Sequence, residues 1–138
     1  MPAGTVCRTP TSNIDFYPTL YQLAGAGHDS KQHIDGVSLV SVLKNPKAPL
    51  QRDELYWHYP LAKPHFLGGH SSGAVRKGDW KLIEYFDADR KELYNLADDI
   101  SEKNNRAGKN PKKLAELQGL LKAWRKEVGA KIPSGQSD

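Results

Sequence analysis

The chain has 138 residues, of which 20 are basic and 16 acidic, so its formal net charge is +4. This length suits one modest hydrophobic core and is too short for two. The basic excess is spread along the chain and carries none of the common nucleic-acid-binding signatures, so no nucleic-acid partner is predicted. No apolar run approaches the roughly 18 residues that a membrane-spanning helix needs, so no membrane partner is predicted.

Two short helices are predicted in the first third of the chain. Ser12 and Asp15 have the spacing of a capping box, which predicts that the first helix starts there. One stripe of this helix consists of Ile14, Tyr17, Tyr21 and Ala24. Pro18 lacks an N–H and is therefore expected in the first turn or two. The second helix is predicted to start at Ser38 and to end at Asn45-Pro46.

The middle of the chain predicts an antiparallel sheet of about four strands. The run from Glu54 to Tyr59 alternates enough to form a strand, which Pro60 ends. Further on, the β-branched and aromatic residues of a half-buried sheet recur; they are Val75, Trp80, Leu82, Ile83, Tyr85, Leu93, Tyr94 and Leu96. Two turns divide them into three strands. The first is a tight hairpin in which Gly78 takes a positive φ, and the second runs from Asp87 to Arg90.

A long C-terminal helix is predicted to cover this sheet. Asn110-Pro111 places proline at the first helical position, and Gly129 closes the helix. Its apolar stripe consists of Leu114, Leu117, Leu121, Trp124 and Val128. Glu116, Arg125 and Glu127 are expected to face water. The predicted fold class is therefore α+β, with a small antiparallel sheet packed against the long helix and one or two short helices before it.

Several short motifs occur in the order and spacing of one enzyme family. They are Ser12 to Leu20, Leu23 to Gly25, Asp35 to Leu39, Arg52 to His58, Gly78 to Ile83, Glu92 to Leu96 and Asp99 to Glu102. Together they resemble the C-terminal region of the arylsulfatase-like sulfatases over nearly the whole chain. The resemblance implies that residues 1–50 form the edge of the catalytic domain and residues 51–130 a C-terminal subdomain. Residues 131–138 are predicted to be a disordered tail.

The resemblance also implies that this chain is the tail of a longer protein. Met1 is expected to be an internal methionine, since residues 1–4 do not resemble a signal peptide. Sulfatases use a calcium ion and a formylglycine made from the cysteine of Cys-x-Pro-Ser-Arg. The run that starts at Cys7 departs from this pattern, so Cys7 is expected to be an ordinary, partly buried residue. No cofactor is assigned to this chain; calcium and formylglycine are implied for the intact parent, which is expected to be periplasmic or secreted.

Substrate-binding residues are expected around the long loop between Pro60 and Gly73, because loops of this length are often functional. The basic side chains in this region are His58, Lys63, His65, His70 and Arg76. Imidazole and ammonium groups can bind sugar hydroxyls or sulfate oxygens. The resemblance implies that the loop lies near the mouth of the active site. His58 has an alternative role as a packed histidine, because it falls within a strand.

No metal site is predicted. A zinc site formed by His58, His65 and His70 would match no known zinc spacing and would lack a fourth ligand. The run from Asp98 to Glu102 lacks the alternating ligands and the glycine of a calcium-binding loop, so capping and turn roles are expected there.

The predicted function is that of a C-terminal sulfatase fragment. It would complete the fold and shape a pocket for a sulfated carbohydrate or an aryl sulfate ester, with the missing N-terminal catalytic domain as its partner. The nucleophile and the metal belong to that domain, so the chain alone is expected to be inactive. Two alternatives stay open. One is a free-standing carbohydrate-binding module that uses Trp57, Tyr59, Phe66 and the loop histidines, and the other is a protein-interaction domain that uses the first helix.

Overall fold

The computed structural model describes residues 3–26, 31–62 and 69–132. The chain divides into two compact units, Met1–Asp53 and Glu54–Asp138. The predictions for Lys63, for His65 and for the tail beyond residue 132 lie outside the described ranges. Within those ranges, no helix is both long enough and apolar enough to cross a membrane.

The first unit contains the two short helices. A 3-10 turn at Asn13–Asp15 leads into α1, Phe16–Leu23, and α2 spans Val40–Lys44. Pro18 is the third residue of α1, as predicted, where the missing N–H costs least. Gly36 approaches the backbone of Ile14 so closely that an added Cβ would collide with the Ile14 carbonyl group. Glycine is therefore required at position 36 for the chain to pass this turn.

Asp15 is the polar centre of the first unit. Its side chain has no solvent exposure and accepts hydrogen bonds from the backbone N–H groups of Ser12, at 2.8 Å, and Val37, at 3.1 Å. Arg52 donates to both carboxylate oxygens, at 2.6 and 2.8 Å. Burial by itself raises the pKa of Asp15, but the hydrogen bonds and the charge of Arg52 outweigh burial and lower the pKa below its ordinary value. Asp15 is thus more than the helix cap that its spacing predicted.

The second unit is built on a four-stranded antiparallel meander in the order β1-β2-β3-β4. The strands are β1 at Glu54–Tyr59, β2 at Ser72–Lys77, β3 at Trp80–Tyr85 and β4 at Lys91–Asn95. Lys77 pairs with Trp80, so a two-residue turn joins β2 to β3. Gly78 in this turn has a φ of 56°, as predicted. The predicted sheet and its hairpin are confirmed.

One face of the sheet packs against α3, which spans Pro111–Glu127. The core consists of Val75, Leu82 and Leu93 from the sheet and Leu117 and Leu121 from the helix, all with no solvent exposure. At the edge of this core, the Tyr56 and Trp124 rings stack with centroids 4.9 Å apart. The predicted stripe is confirmed as far as Trp124. The inclusion of Val128 was wrong, because this residue is the C-cap of α3 and is 54% exposed.

Arg125 was also predicted wrongly. It does not face water: its side chain is 11% exposed and donates a 2.7 Å hydrogen bond to Glu84 of β3. Its guanidinium carbon lies 4.9 Å from the Phe86 ring centroid. A position on the flank of a helix allows the long arginine stem to reach back to the sheet while its charge finds a carboxylate. Gln118 donates to the other oxygen of Glu84, at 3.0 Å, so two helix residues hold one strand residue.

The opposite face of the sheet carries the alternate residues of each strand. Leu55, Ala74 and Tyr94 are buried there. Trp57 and Tyr59 lie on the same face and are 43% and 49% exposed. This second face therefore presents aromatic surface next to the buried residues.

A candidate binding cluster at the end of the sheet

The register of the β2–β3 hairpin places a histidine opposite an aspartate. Ser72 pairs with Tyr85 at the end of the ladder, and the Phe86 N–H donates to the Ser71 carbonyl at 2.8 Å. Because opposed positions advance one residue at a time, the next facing pair is His70 and Asp87. Their side chains do meet: His70 Nδ1 lies 3.0 Å from Asp87 Oδ2.

Tyr85 organises the groups around this pair. The His70 ring stands edge-on to the Tyr85 ring, with centroids 5.7 Å apart. The Arg90 guanidinium lies over the Tyr85 ring face, 3.7 Å from its centroid. The Tyr85 hydroxyl donates to Glu92 at 2.8 Å, which holds the ring in place. We call His70, Tyr85, Asp87, Arg90 and Glu92 the His70 cluster.

The basic side chains of the His70 cluster are more exposed than its carboxylates. The side chains of His70 and Arg90 are 57% and 47% exposed, against 23% for Asp87 and 20% for Glu92. The hydrogen bond from His70 lowers the pKa of Asp87, which keeps this carboxylate ionised. Burial and the Glu92 hydrogen bond raise the pKa of Tyr85, so its phenol stays neutral. The cluster therefore presents its two basic side chains to solvent, and its carboxylates are less exposed.

The cluster adjoins both ends of the predicted binding loop. Ser71 is 5% exposed, and its hydroxyl accepts a 3.1 Å hydrogen bond from the Leu61 N–H. This bond ties residue 61, just after β1, to residue 71, just before β2. Residues 63–68, which contain Lys63 and His65, lie outside the described ranges.

Of the predicted binding residues that the structure describes, His70 belongs to this cluster and two others lie elsewhere. His58 points to the α3 face, where its ring lies 5.3 Å from the Phe86 centroid and 6.4 Å from the Trp124 centroid. His58 Nε2 lies 2.9 Å from the Lys131 carbonyl oxygen, so this nitrogen carries the proton. Arg76 is near the hairpin turn, where its Nε donates to the Gly78 carbonyl at 3.1 Å. Their substrate-facing roles stay predictions.

Sequence reasoning missed Asp87 and Arg90 as members of a site. A signal existed, because residues 70 and 87 are equidistant from the Gly78-Asp79 turn and must face each other if the hairpin continues past its last ladder pair. The predicted strand began at Val75 and the predicted loop reached Gly73, so the pairing was not counted back to residue 70. Arg90 had no such signal, since its position over Tyr85 depends on the path of the β3–β4 turn.

The described residues contain no group of three histidine, cysteine, aspartate or glutamate side chains arranged to hold a metal ion. Asp99, in the run considered as a metal loop, accepts hydrogen bonds from the backbone N–H groups of Lys103, at 3.1 Å, and Asn104, at 2.8 Å. These bonds lower the pKa of Asp99. They are the interactions of a turn residue.

A separate cavity of about 480 Å³ lies at the start of α3. It is lined by Trp80, Lys109, Asn110, Pro111, Lys112, Lys113 and Glu116. Trp80 is the first residue of β3 and Tyr85 the last, so the cavity and the His70 cluster belong to opposite ends of that strand, roughly 17 Å apart. The cavity therefore does not include the residues that the loop brings together.

Comparison with known proteins gives matches among the sulfatases. A family model described as "N-sulphoglucosamine sulphohydrolase, C-terminal" matches residues 1–129. A sulfatase from Formosa agariphila is 34% identical over 122 residues, which are 80% of this chain and 22% of that protein. The choline-sulfatase of Rhizobium meliloti is 34% identical over 85% of this chain and 21% of its own length.

Solved structures agree. The structure of BT4656 in complex with its substrate D-glucosamine-2-N,6-O-disulfate is similar with a TM-score of 0.71 and 34% identity, over 89% of this chain and 25% of that one. Ps i-CgsB is similar with a TM-score of 0.71 and 28% identity, over 89% of this chain and 26% of that one. The fold is thus that of a sulfatase C-terminal region, as the motifs predicted.

The chain belongs to the N-sulphoglucosamine sulphohydrolase C-terminal domain family. It spans about a fifth to a quarter of the length of the relatives that it matches.

Proposed function

We propose that this chain is the C-terminal part of a sulfatase that hydrolyses a sulfate ester of a sulfated carbohydrate. In that enzyme it completes the fold and forms one wall of the substrate pocket. The observation that carries the proposal is the family match over residues 1–129, together with relatives about four times as long. The sulfated carbohydrate is favoured over an aryl sulfate ester because BT4656, at 34% identity, has a disulfated glucosamine as its substrate.

We propose that the chain does not hydrolyse sulfate esters by itself. The family's calcium needs six to eight oxygen ligands that converge on one point. The buried carboxylates described here are engaged otherwise, Asp15 by Arg52 and Asp99 by backbone N–H groups, so they do not fit a calcium site. The residues that follow Cys7 do not fit the formylglycine pattern. Both groups are assigned to the catalytic domain, and no catalytic step is assigned to this chain.

The exposed apolar face of α1 supports the proposal that another domain packs against it. Phe16, Leu20 and Leu23 are 60%, 66% and 60% exposed, which is unusual for three large apolar side chains on one short helix. Burying them is favourable by about 25 cal/mol for each Å² removed from water. We propose that the catalytic domain of the same enzyme covers this face.

A chimeric enzyme tests the proposed function. The C-terminal quarter of BT4656 is replaced by this chain, and sulfate release from D-glucosamine-2-N,6-O-disulfate is measured. We expect the chimera to be soluble and to turn over, the truncated BT4656 without a replacement to lose activity, and the isolated chain to show none. Turnover by the isolated chain, or a chimera no more active than the truncated enzyme, would overturn the proposal.

The exposed aromatic residues of the second sheet face favour one other candidate, a free-standing carbohydrate-binding module. Trp57 and Tyr59 lie two residues apart on one strand and offer flat rings of the kind that stack on sugars. This candidate expects the isolated chain to bind unsulfated glycans and Trp57→Ala to abolish binding. The sulfatase proposal expects these rings to be covered in the whole enzyme, so Trp57→Ala would lower the stability of the chimera instead.

A further inference from the structure

We propose that the His70 cluster binds a sulfate group of the sugar, with His70 and Arg90 as its ligands and Asp87 as the positioning residue for His70. The inference rests on the proposed function, which supplies a sulfated sugar as substrate. A disulfated sugar carries one sulfate that is not at the reaction centre during a turnover, and this second group needs its own recognition. Asp87 and Arg90 were not among the binding residues predicted from the sequence.

The Asp87 carboxylate selects the orientation of the His70 ring. A carboxylate only accepts hydrogen bonds, so at 3.0 Å His70 Nδ1 must carry the proton. The other nitrogen, Nε2, is then directed away from Asp87 on a side chain that is 57% exposed. In the neutral ring Nε2 accepts a hydrogen bond from a sugar hydroxyl, and in the protonated ring it donates one to a sulfate oxygen.

Arg90 is held for the same purpose by different contacts. Its guanidinium lies flat on Tyr85 at 3.7 Å, an arrangement that leaves the N–H groups at its edge free to bind an oxyanion. The Arg90 Nε to Glu92 distance of 3.8 Å is too long for a hydrogen bond, so Glu92 attracts the guanidinium without using its donors. Tyr85 contacts both basic side chains, since the His70 ring is nearly perpendicular to its ring and Arg90 lies over its face.

The arrangement is poorly explained by stability alone. Exposed ion pairs contribute little to stability, so a His–Asp pair at this end of the sheet adds little to folding. What the arrangement does achieve is orientation: each exposed basic side chain has its own partner, which fixes its direction and is less exposed than the basic side chain itself. Fixed donors bind a sulfate at a lower entropic cost than mobile ones.

The first test measures the His70 tautomer by ¹⁵N NMR in the isolated chain. We expect the Nδ1–H form in the wild type and a mixture with the Nε2–H form in Asp87→Ala. The matched control is Asp89→Ala. Asp89 lies in the same turn, but its carboxylate is 96% exposed and pairs with Lys91 rather than with His70. An unchanged tautomer in Asp87→Ala would overturn the positioning role.

The second test titrates D-glucosamine-2-N,6-O-disulfate into the chain and follows backbone amide shifts. We expect weak binding with shifts centred on residues 70 and 87–90, weakened about fivefold or more in Asp87→Ala and in Arg90→Gln, as for the loss of a charge-assisted hydrogen bond. Lys122→Gln, which removes a positive charge from an exposed position of α3, should change the affinity less than twofold. Equal affinity in wild type and Arg90→Gln, or no binding, would overturn sulfate recognition.

The chimera separates failure of this inference from failure of the proposed function. An inactive wild-type chimera counts against the proposed function, while the tautomer and titration still decide the cluster. In an active chimera, Asp87→Ala and Arg90→Gln should raise KM for the disulfated sugar about fivefold or more and leave kcat close to wild type, since both residues lie away from the reaction centre. An active chimera in which these variants match Asp89→Ala would overturn the inference alone.

Discussion

Arg52 donates two hydrogen bonds to Asp15, one to each carboxylate oxygen, and the two residues are 37 positions apart in the sequence. Asp15 has no solvent exposure, and the Arg52 side chain is 13% exposed. The pair joins the 3-10 turn before α1 to the end of the first unit. Since Asp15 also binds the Val37 N–H, three separate segments of the unit meet at one carboxylate.

Removing the arginine should therefore destabilise the first unit strongly. Arg52→Gln leaves a buried carboxylate without its cation, and breaking a buried pair in this way costs about 3–5 kcal/mol. All the tryptophans lie in the second unit, so tryptophan fluorescence would not report on the first unit. The measurement is therefore hydrogen exchange of the Val37 amide, which binds Asp15 directly. Arg8→Gln, at an exposed arginine of the same unit, is the control and should change exchange little. Similar exchange in both variants would contradict this role for the pair.

The same pair predicts how the first unit responds to acid. The pKa of Asp15 is lowered in the folded chain, so its contribution to stability is present above the unfolded pKa of about 3.9 and is lost as the pH falls through the folded value. We expect Val37 protection to weaken below about pH 4 in the wild type. Asp15→Asn should be less stable at neutral pH and should show a flatter acid response. An equally steep response in Asp15→Asn would assign the effect to other groups.

Two glycines of the second unit should respond oppositely to alanine. At Gly73 a Cβ would lie 2.7 Å from Arg125 Nη2 and 3.0 Å from the Phe86 ring, both held in place, so Gly73→Ala should cost about 1–3 kcal/mol. At Gly119, within α3, a Cβ meets nothing within 4 Å, so Gly119→Ala should stabilise by about 0.5–1 kcal/mol. Urea unfolding followed by tryptophan fluorescence measures both. A destabilised Gly119→Ala would refute the account of α3.

Tyr94 makes the second unit sensitive to alkali. Burial, followed by its 3.0 Å hydrogen bond to Glu92, raises the pKa of Tyr94 to about 12, from 10.0. Because the pKa of Tyr94 is higher in the folded chain than in the unfolded one, the stability contributed by its protonated phenol is fully present below about pH 10 and is lost as the pH rises towards 12. Absorbance near 295 nm should show one late-titrating tyrosine that is missing in Tyr94→Phe. Glu92→Gln should move this titration to lower pH, and an unchanged titration there would contradict the role of Glu92.

The exposed face of α1 should make the isolated chain self-associate. Leu20 is 66% exposed in the middle of this face, so Leu20→Glu should reduce association by adding a charge that is costly to bury. Sedimentation at increasing concentration measures the effect. Ser41→Glu adds the same charge at an exposed position of α2 and should leave association unchanged. A wild type that sediments as a monomer throughout would show that this face is not adhesive.

The sheet and its long helix were predictable because their signals are local. Alternation marks strands, Gly78 marks a hairpin, and the Leu114 to Trp124 stripe marks a helix face. The errors at Arg125 and Val128 have a different origin. Both residues lie near the C-terminal end of α3. Whether a side chain on the flank of the helix reaches a partner there or points to water depends on the position of the neighbouring strand.

One member of the candidate site was named from the sequence. His70 was expected in a binding region on the strength of its loop; the structure places it against Asp87 and Tyr85, and its binding role stays a prediction. His58, one residue from the end of β1, was expected either in the same region or as a packed histidine, and it points to the α3 face. Strand alternation sends neighbouring side chains to opposite faces, so closeness in sequence to the loop did not decide on which face His58 would lie.

Motifs, alternation and turn residues act over a few positions, so the family, the α+β class and the meander of β2, β3 and β4 could be read from the sequence. The pairing of Asp15 with Arg52, of Arg125 with Glu84 and of His70 with Asp87 came from the packing of the elements. Each pair joins a basic residue to a carboxylate that is 17 or more residues away. A charged residue looks the same in sequence whether it is solvated or paired; its partner is chosen when the elements pack.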